Sequence, residues 1–304
     1  VTAQASPTPA RTAPAVHSYS PEQYAELAER MPSHVAGPRA LGGSATRFLR
    51  LTWMLAYLDF KLKFFGSVLG YAWQLMRPLM MFAVLYVVFS QILKFGDAPF
   101  YPVVLLSGIV LFSFFSESTN AAVSSIVESE GLVRKIAFPL LAVPLSRVTS
   151  LFLTLMLNYL VVLVFALISG VSPTARWLEI PPLLFLLYLV GCSVGTGLSA
   201  LYVRYRDVRP IWEVVAQVLF YASPVIYPIE FVPDATVQKL ILCNPVATII
   251  QQMRHAVIDP SSPSAVDVLG SWEMLAIPLG ITVVLGLAGF YAIHRMAGRV
   301  AEEL

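Results

Sequence analysis

Glu117 is the one carboxylate set well inside an apolar stretch of this 304-residue chain, and Ser118, Thr119 and Asn120 follow it directly. An ionisable group in such a place defaults to a functional reading, because charge is costly to carry away from water. Two kinds of chemistry fit. It could relay a proton or ion, or it could wet the mouth of a path taken by a hydrophilic cargo. A structural role in hydrogen bonding is the third reading. An ion-coupled carrier would carry more such residues and paired broken helices, which tells against the relay.

A second group of charges, Glu128, Glu130, Arg134 and Lys135, falls between two apolar stretches. Glu130 and Arg134 stand four apart and can pair on one face of a short helix. Such a helix between two spans has the shape needed to pass force from a soluble partner. An ordinary solvated loop reads equally well. Arg204, Arg206, Asp207 and Arg209 form a compact basic turn further on, in which Asp207 can neutralise one arginine and Glu213 can pair with Arg209.

Enzyme signatures fail on context. Gly191-Cys192-Ser193-Val194-Gly195 matches a nucleophile elbow, and Gly195-Thr196-Gly197-Leu198-Ser199-Ala200 matches a dinucleotide fingerprint. Both need a strand-turn-helix setting, yet both sit in one unbroken apolar run. Small residues at this spacing let two helices approach closely. No phosphate loop of the GxxxxGK[ST] type occurs, so the chain is not expected to bind ATP in that manner. His17, His34, His255 and His294 lack metal-ligand spacing, and Cys192 and Cys243 are read as packing residues. No catalytic, cofactor or metal residue is assigned.

The elements that position these residues are apolar helices. Hydrophobic residues make up 57% of the chain and charged residues 12%, with a mean hydropathy of +0.73, outside the range of soluble domains. Six long apolar stretches, Leu79–Leu93, Tyr101–Ser116, Val148–Ser169, Ile180–Leu201, Ile211–Tyr227 and Met274–Ile293, come near the ~20 residues of a membrane-crossing helix. With the N-terminus inside, sixteen of the 20 Lys and Arg fall on the cytoplasmic side and only Lys94, Arg176, Lys239 and Arg254 outside, a strong positive-inside signal. The expected fold is an all-α, multi-pass protein of the bacterial cytoplasmic (inner) membrane with both termini cytoplasmic. The net charge of +2 is spread over these flanking loops and does not point to nucleic acid.

Around and within the six-helix domain, set at 78–298, five further pieces are expected. Residues 1–45 hold six prolines and read as a mostly disordered cytoplasmic tail, with one short helix opened by Ser20 and Pro21. Residues 46–77 read as an amphipathic helix lying in the membrane interface. Its apolar stripe runs through Leu51, Leu55, Leu58 and Leu62 to Trp73, and Asp59, Lys61 and Lys63 at its middle make a crossing costly. Residues 126–136 form the short cytoplasmic helix. At 234–258, broken by Pro233 and restarted at Asn244-Pro245, two short helices re-enter or line the outer face. A cytoplasmic end is set at 299–304.

On that topology the residues resemble a known family, the membrane subunit of type-2 ABC exporters for lipid-linked polysaccharides such as O-antigen, teichoic acid and galactan. The resemblance covers roughly Leu51 to the C-terminus. It is carried by Asp59-Phe60-Lys61 followed by Ser67-Val68-Leu69-Gly70-Tyr71-Ala72-Trp73 and Pro78, and by Leu132-Val133-Arg134-Lys135-Ile136-Ala137-Phe138-Pro139. Arg204-Tyr205-Arg206-Asp207, Ser223-Pro224 and Asn244-Pro245 with Arg254 downstream continue it in order. One departure is Leu140-Leu141, where the family commonly carries a charge.

The resemblance implies a homodimer on two separate ATPase subunits that hold the ATP and Mg, with no cofactor on this chain. A polyprenyl-diphosphate-linked glycan would pass outward through a channel at the dimer centre, surrounded by membrane lipid. Glu128, Glu130, Arg134, Lys135, Arg206 and Asp207 would contact the ATPase. Phe112, Phe115, Phe152 and Tyr159 would offer rings to sugar faces, with Glu117 and Asn120 toward the cytoplasmic mouth. Asp59, Lys61 and Trp73 mark the interface helix. A drug or small-lipid exporter of the same architecture and an ion-coupled carrier are the alternative readings.

Overall fold

An apolar run can cross a bilayer only if it satisfies its own backbone, which a helix does. In the computed structural model every regular element described is accordingly helical. The structure describes residues 45–64, 70–92, 100–129, 131 and 139–296. The tail helix expected after Ser20, the coupling residues Glu130, Arg134 and Lys135, and the C-terminal end at 299–304 lie outside them.

Helix α1 (Ala45–Phe64) is followed by α2 (Gly70–Tyr86), which continues into a π-helical turn, Val87–Ile92. Next come α3 (Tyr101–Val123), the one-turn α4 (Ser125–Glu128), α5 (Ala142–Ile168), α6 (Ile180–Arg204) and α7 (Val208–Ala222). Two short helices, α8 (Ala235–Leu242) and α9 (Pro245–Met253), then α10 (Ala265–Leu269) and α11 (Ala276–Met296), complete the chain.

The amphipathic helix expected over 46–77 is differently divided. Helix α1 ends at Phe64, and Trp73, Met76 and Arg77 belong to α2, whose apolar window begins at Trp73 and carries Pro78 within it. The face of α1 that packs is its small one: Phe48, Thr52 and Ala56 are buried, while Leu49, Trp53, Met54, Leu58 and Leu62 stay exposed. That outward apolar surface is what a helix lying against lipid presents.

Five segments among the described residues are long and apolar enough to cross: Trp73–Ser90, Tyr101–Val123, Ala142–Ile168, Ala175–Arg204 and Trp272–Met296. The sixth expected stretch, 211–227, is not one helix. Helix α7 stops after 15 residues at Ala222, about 22 Å at 1.5 Å per residue, short of the ~30 Å hydrocarbon core. Ser223 is extended, and Pro224 follows it. A residue before proline is pushed away from helical geometry, so a hydropathy run that looks continuous breaks there.

Helix α3 is the centre of the chain. Of its most apolar stretch 78% is buried, against 6% for α2 and 22% for α11. Helices α5, α6, α2 and α7 surround it. Pro144 lies in the first turn of α5, where the missing N–H has no helical partner to lose.

The glycine run in α6 works as a packing surface on two sides. A Cβ at Gly195 would stand 2.7 Å from the Cβ of Ala122 in α3, and one at Gly191 3.2 Å from Ser118 Oγ. On the opposite side a Cβ at Gly289 of α11 would fall 2.7 Å from the backbone N of Gly197. The two enzyme-like motifs are therefore the places where α6 meets its neighbours at backbone distance.

Candidate transport path and coupling surface

Glu117 sits where α2 and α3 meet. Its carboxylate accepts a hydrogen bond from Gln74 Nε2 at 3.3 Å and lies 3.7 Å from Arg77 Nη1. Both partners come from the first turns of α2, so the acid links the first two spans. Arg77 is 74% exposed and Glu117 31%, which keeps the pair in reach of water and its contribution to stability small.

From Glu117 a cleft of about 270 Å³ opens between α2, α3 and α7. Ser113, Ser116 and Glu117 of α3 face Glu213 and Gln217 of α7 across it, with the Phe112, Phe220 and Tyr221 rings in its wall. Glu117 also borders a smaller polar space of about 20 Å³ toward Asn158 and Thr154 of α5. The three polar side chains of α3 and the two of α7 that face them can hold water in the cleft.

The predicted ring residues divide. Phe112 and Phe115 are 3% and 2% exposed and pack edge-on against α7, Phe112 on Phe220 at 5.2 Å and Phe115 on Trp212 at 6.1 Å between ring centres. Trp212 is fixed in turn, its indole N–H donating to Thr119 Oγ1 at 2.9 Å. Phe152 packs between Phe114 and Tyr188, away from the cleft. Tyr159, 1% exposed, is a core residue whose hydroxyl lies 3.4 Å from Ser107 Oγ. It borders neither of the two spaces that meet at Glu117. Asn120 turns back along its own helix, donating to the Ser116 carbonyl at 2.9 Å.

Ser113, Ser116 and Gln217 escape sequence reading because small polar residues in apolar helices are ordinary. Only the meeting of α3 with α7 makes them a group.

At one end of the helices α1, α4, α5, α6 and α11 close on a second apolar cluster that includes Phe48, Ile126, Leu140, Leu141, Ala142, Val203 and Ile293. This accounts for Leu140-Leu141. At 1% and 8% exposed they are packing residues of that cluster, so a charge there would be buried. Glu128 stands exposed at the end of α4, on the rim of the same surface.

In the turn between α6 and α7, Arg206 lies 5.2 Å from the centre of the Tyr202 ring and Arg204 5.6 Å from that of Tyr205, within cation–π range. Arg209 reaches Glu213 at 3.4 Å. Asp207 makes no ion pair among the described residues; its expected neutralising role is taken by the rings and by Glu213. Asp207 instead begins α7, its backbone carbonyl accepting from Ile211 N–H at 3.2 Å.

Asp59 is tied from two sides. Lys63 is 3.3 Å away on α1, and Arg147 of α5 donates a short hydrogen bond to its carboxylate. That bond anchors α1 to the body, and nothing in the local sequence pairs residues 88 positions apart. Lys61 is exposed on the far side of α1.

On the opposite side of the molecule α8 and α9 are capped as the sequence expects. Asp234 accepts from Thr236 N–H at 2.7 Å, and Asn244 accepts from Val246 N–H at 3.0 Å with Pro245 in the first turn. Tyr101 at the start of α3 donates to the Ile226 carbonyl at 2.9 Å, which holds the segment after α7 against the core.

Residues 50–258 match the profile of the ABC-2 type transporter family. The chain belongs to that family. Among its curated relatives are the O-antigen export system permease protein RfbA of Klebsiella pneumoniae, 24% identical over 249 residues, or 81% of this chain and 92% of the relative. RfbA of Myxococcus xanthus is 24% identical over 212 residues (69% and 81%). The polysialic acid transport protein KpsM of Escherichia coli is 23% identical over 223 residues (72% and 84%).

Proposed function

We propose that this chain is the permease subunit of an ATP-driven exporter that carries a polyprenyl-diphosphate-linked polysaccharide across the bacterial cytoplasmic membrane. The observation that carries the reading is the likeness, over 81% of this chain and 92% of the relative, to a permease named for O-antigen export. The polysialic acid transporter, a relative named for a different glycan, supports polysaccharide as the shared cargo class. Two copies pair, each with an ATPase subunit that supplies ATP and Mg. The chain crosses six times, α7 and the irregular 223–228 together making the fifth crossing, with both termini in the cytoplasm and α8 and α9 re-entering from outside.

In this reading the cleft of Ser113, Ser116, Glu117, Glu213 and Gln217 is one wall of the path. It is polar enough to wet, and its aromatic edge at Phe112 holds sugar faces weakly, so that a long chain can both enter and leave. Phe115, and behind it Phe152 and Tyr159, support that wall. Energy arrives at Glu128, Glu130, Arg134 and Lys135 and at the Arg206–Asp207 turn, and Leu140 and Leu141 fix the surface that carries Glu128 to the helices that must move.

Depletion of the chain in its native cell tests the proposal. Polyprenyl-linked glycan should accumulate inside, protected from impermeant glycosidase in intact cells, while its synthesis continues. Glycan appearing outside at the normal rate would refute it.

A further inference from the structure

A cavity of about 480 Å³ lies away from the cleft, between the start of α6, helix α9 and the start of α11. Its polarity is graded along its length. Glu179 at the end of the 3₁₀ turn before α6, with Leu183 and Leu186 of α6, lines one wall, and Trp272 and Leu275 of the 3₁₀ turn before α11, with Leu279 of α11, lines another. Residues three and four apart share a helical face, so each series runs inward from the helix start. Seven residues of helix span about 10 Å, and over that depth both walls pass from charged or indole groups to leucine. Trp272 is 77% exposed at the wide end, as a tryptophan at the headgroup level is. The cavity thus has a charged end at Arg176 and Glu179 and a mainly apolar remainder, in which Thr248 and Thr282 stand among the leucines, the profile of a site for an amphiphile.

The mouth specifies the head. Arg176 and Glu179 are three residues apart on a 3₁₀ turn, where side chains at that spacing eclipse, and both border the cavity. Neither is spent on the other. Arg176 Nη1 lies 2.6 Å from His255 Nε2, and His255 Nδ1 lies 2.7 Å from the Ser262 carbonyl. A carbonyl only accepts, so Nδ1 carries the ring proton and Nε2 accepts from the guanidinium. Arg176 therefore keeps its full charge and its other N–H donors. Glu179 accepts from the neutral amide of Gln252 at 2.8 Å and keeps its charge as well. Asp267 stands close by, its carboxyl held below the usual range first by the Ser264 hydroxyl, then by the Ser264 backbone N–H, with the Arg176 charge adding a smaller effect. A purely anionic head would meet two carboxylates; a head with both signs meets a partner for each.

We propose that this cavity binds a zwitterionic membrane phospholipid, its phosphate on Arg176, its ammonium on Glu179 and one acyl chain between the leucines of α6 and α11. The site is independent of the cargo and of which membrane face it opens to.

The test uses the purified full chain in detergent, with phosphatidylethanolamine or phosphatidylglycerol of the same acyl chains added. Phosphatidylethanolamine should raise the melting temperature by about 5 °C or more at saturation, and phosphatidylglycerol by clearly less. The double variant Arg176→Gln, Glu179→Gln should lose that difference, and Leu279→Trp, which fills the slot, should lose the response to both lipids. Mass spectrometry of phospholipid retained by the unmodified protein gives a readout that needs no variant to fold, and phosphatidylethanolamine should dominate it. Equal stabilisation by the two lipids, a preference for phosphatidylglycerol, or a preference that survives in the double variant would overturn the proposal.

Discussion

Arg254 is 7% exposed; it holds Glu230 at 2.9 Å and stands 4.0 Å from Asp259, itself 9% exposed. Pairing of this kind contributes little net stability when intact, because desolvation offsets the attraction, but breaking it strands a charge. Arg254→Ala is therefore expected to cost about 3 kcal/mol, read as a lower unfolding midpoint in detergent. Arg254→Lys should recover only part of that, since an ammonium lacks the planar fork that serves two carboxylates at once. An alanine variant that melts with the parent would show that the neighbouring acids find other partners. At this scale the sequence was uneven. Glu117 stood out because it interrupts an apolar run, and Arg209–Glu213 because i and i+4 are neighbours on a helix. Arg147 as the partner of Asp59, and Gln217 as the face opposite Ser113, depend on helices that meet across the fold. No local pattern encodes those meetings.

Among the elements, α6 and α11 meet at Gly197 and Gly289, and their separation is set by the absence of side chains there. Gly289→Ala would press a Cβ against backbone atoms at 2.7–3.2 Å, which cannot rotate away. The expected loss is about 2 kcal/mol, measured as a fall in melting temperature. Gly280→Ala, on the same helix with nothing within 4 Å, should leave the midpoint unchanged or raise it, since alanine favours helix. If both variants behave alike, close approach is not what those glycines provide. The helices themselves were largely legible, because apolar runs and Asn-Pro starts have direct physical causes. The break at Ser223 was blurred, since the residues after it stay apolar while the backbone turns. Helix α10 was overlooked, although its capping box, Ser264 with Asp267, is plain in the sequence once the surrounding prolines are discounted. The apolar stripe expected along α1 divides: Leu51 and Leu55 pack partly against the core beside Phe48, while Leu58 and Leu62 stay exposed.

For the whole molecule, the charge asymmetry predicts an orientation with both termini in the cytoplasm. With Cys192 and Cys243 replaced, a cysteine at Lys63 should react with an impermeant thiol reagent only after the membrane is opened, and one at Lys239 in intact spheroplasts. Labelling of position 63 from outside would reverse the topology and with it the assignment of the rim to the ATPase.

Helix α3 is enclosed by α2, α5, α6 and α7 along most of its length, and this leaves it no side on which to drift. A span with a lipid-facing surface tolerates exchange among apolar residues at every third or fourth position, whereas one enclosed all round meets a close-packed neighbour at each. Saturation mutagenesis scored by surviving protein should therefore show a 3.6-residue rhythm of tolerance in α11 and almost none in α3. Lineages that adapt this scaffold to a new cargo would have to accumulate their changes on the helices around α3 while the axle itself stays nearly fixed.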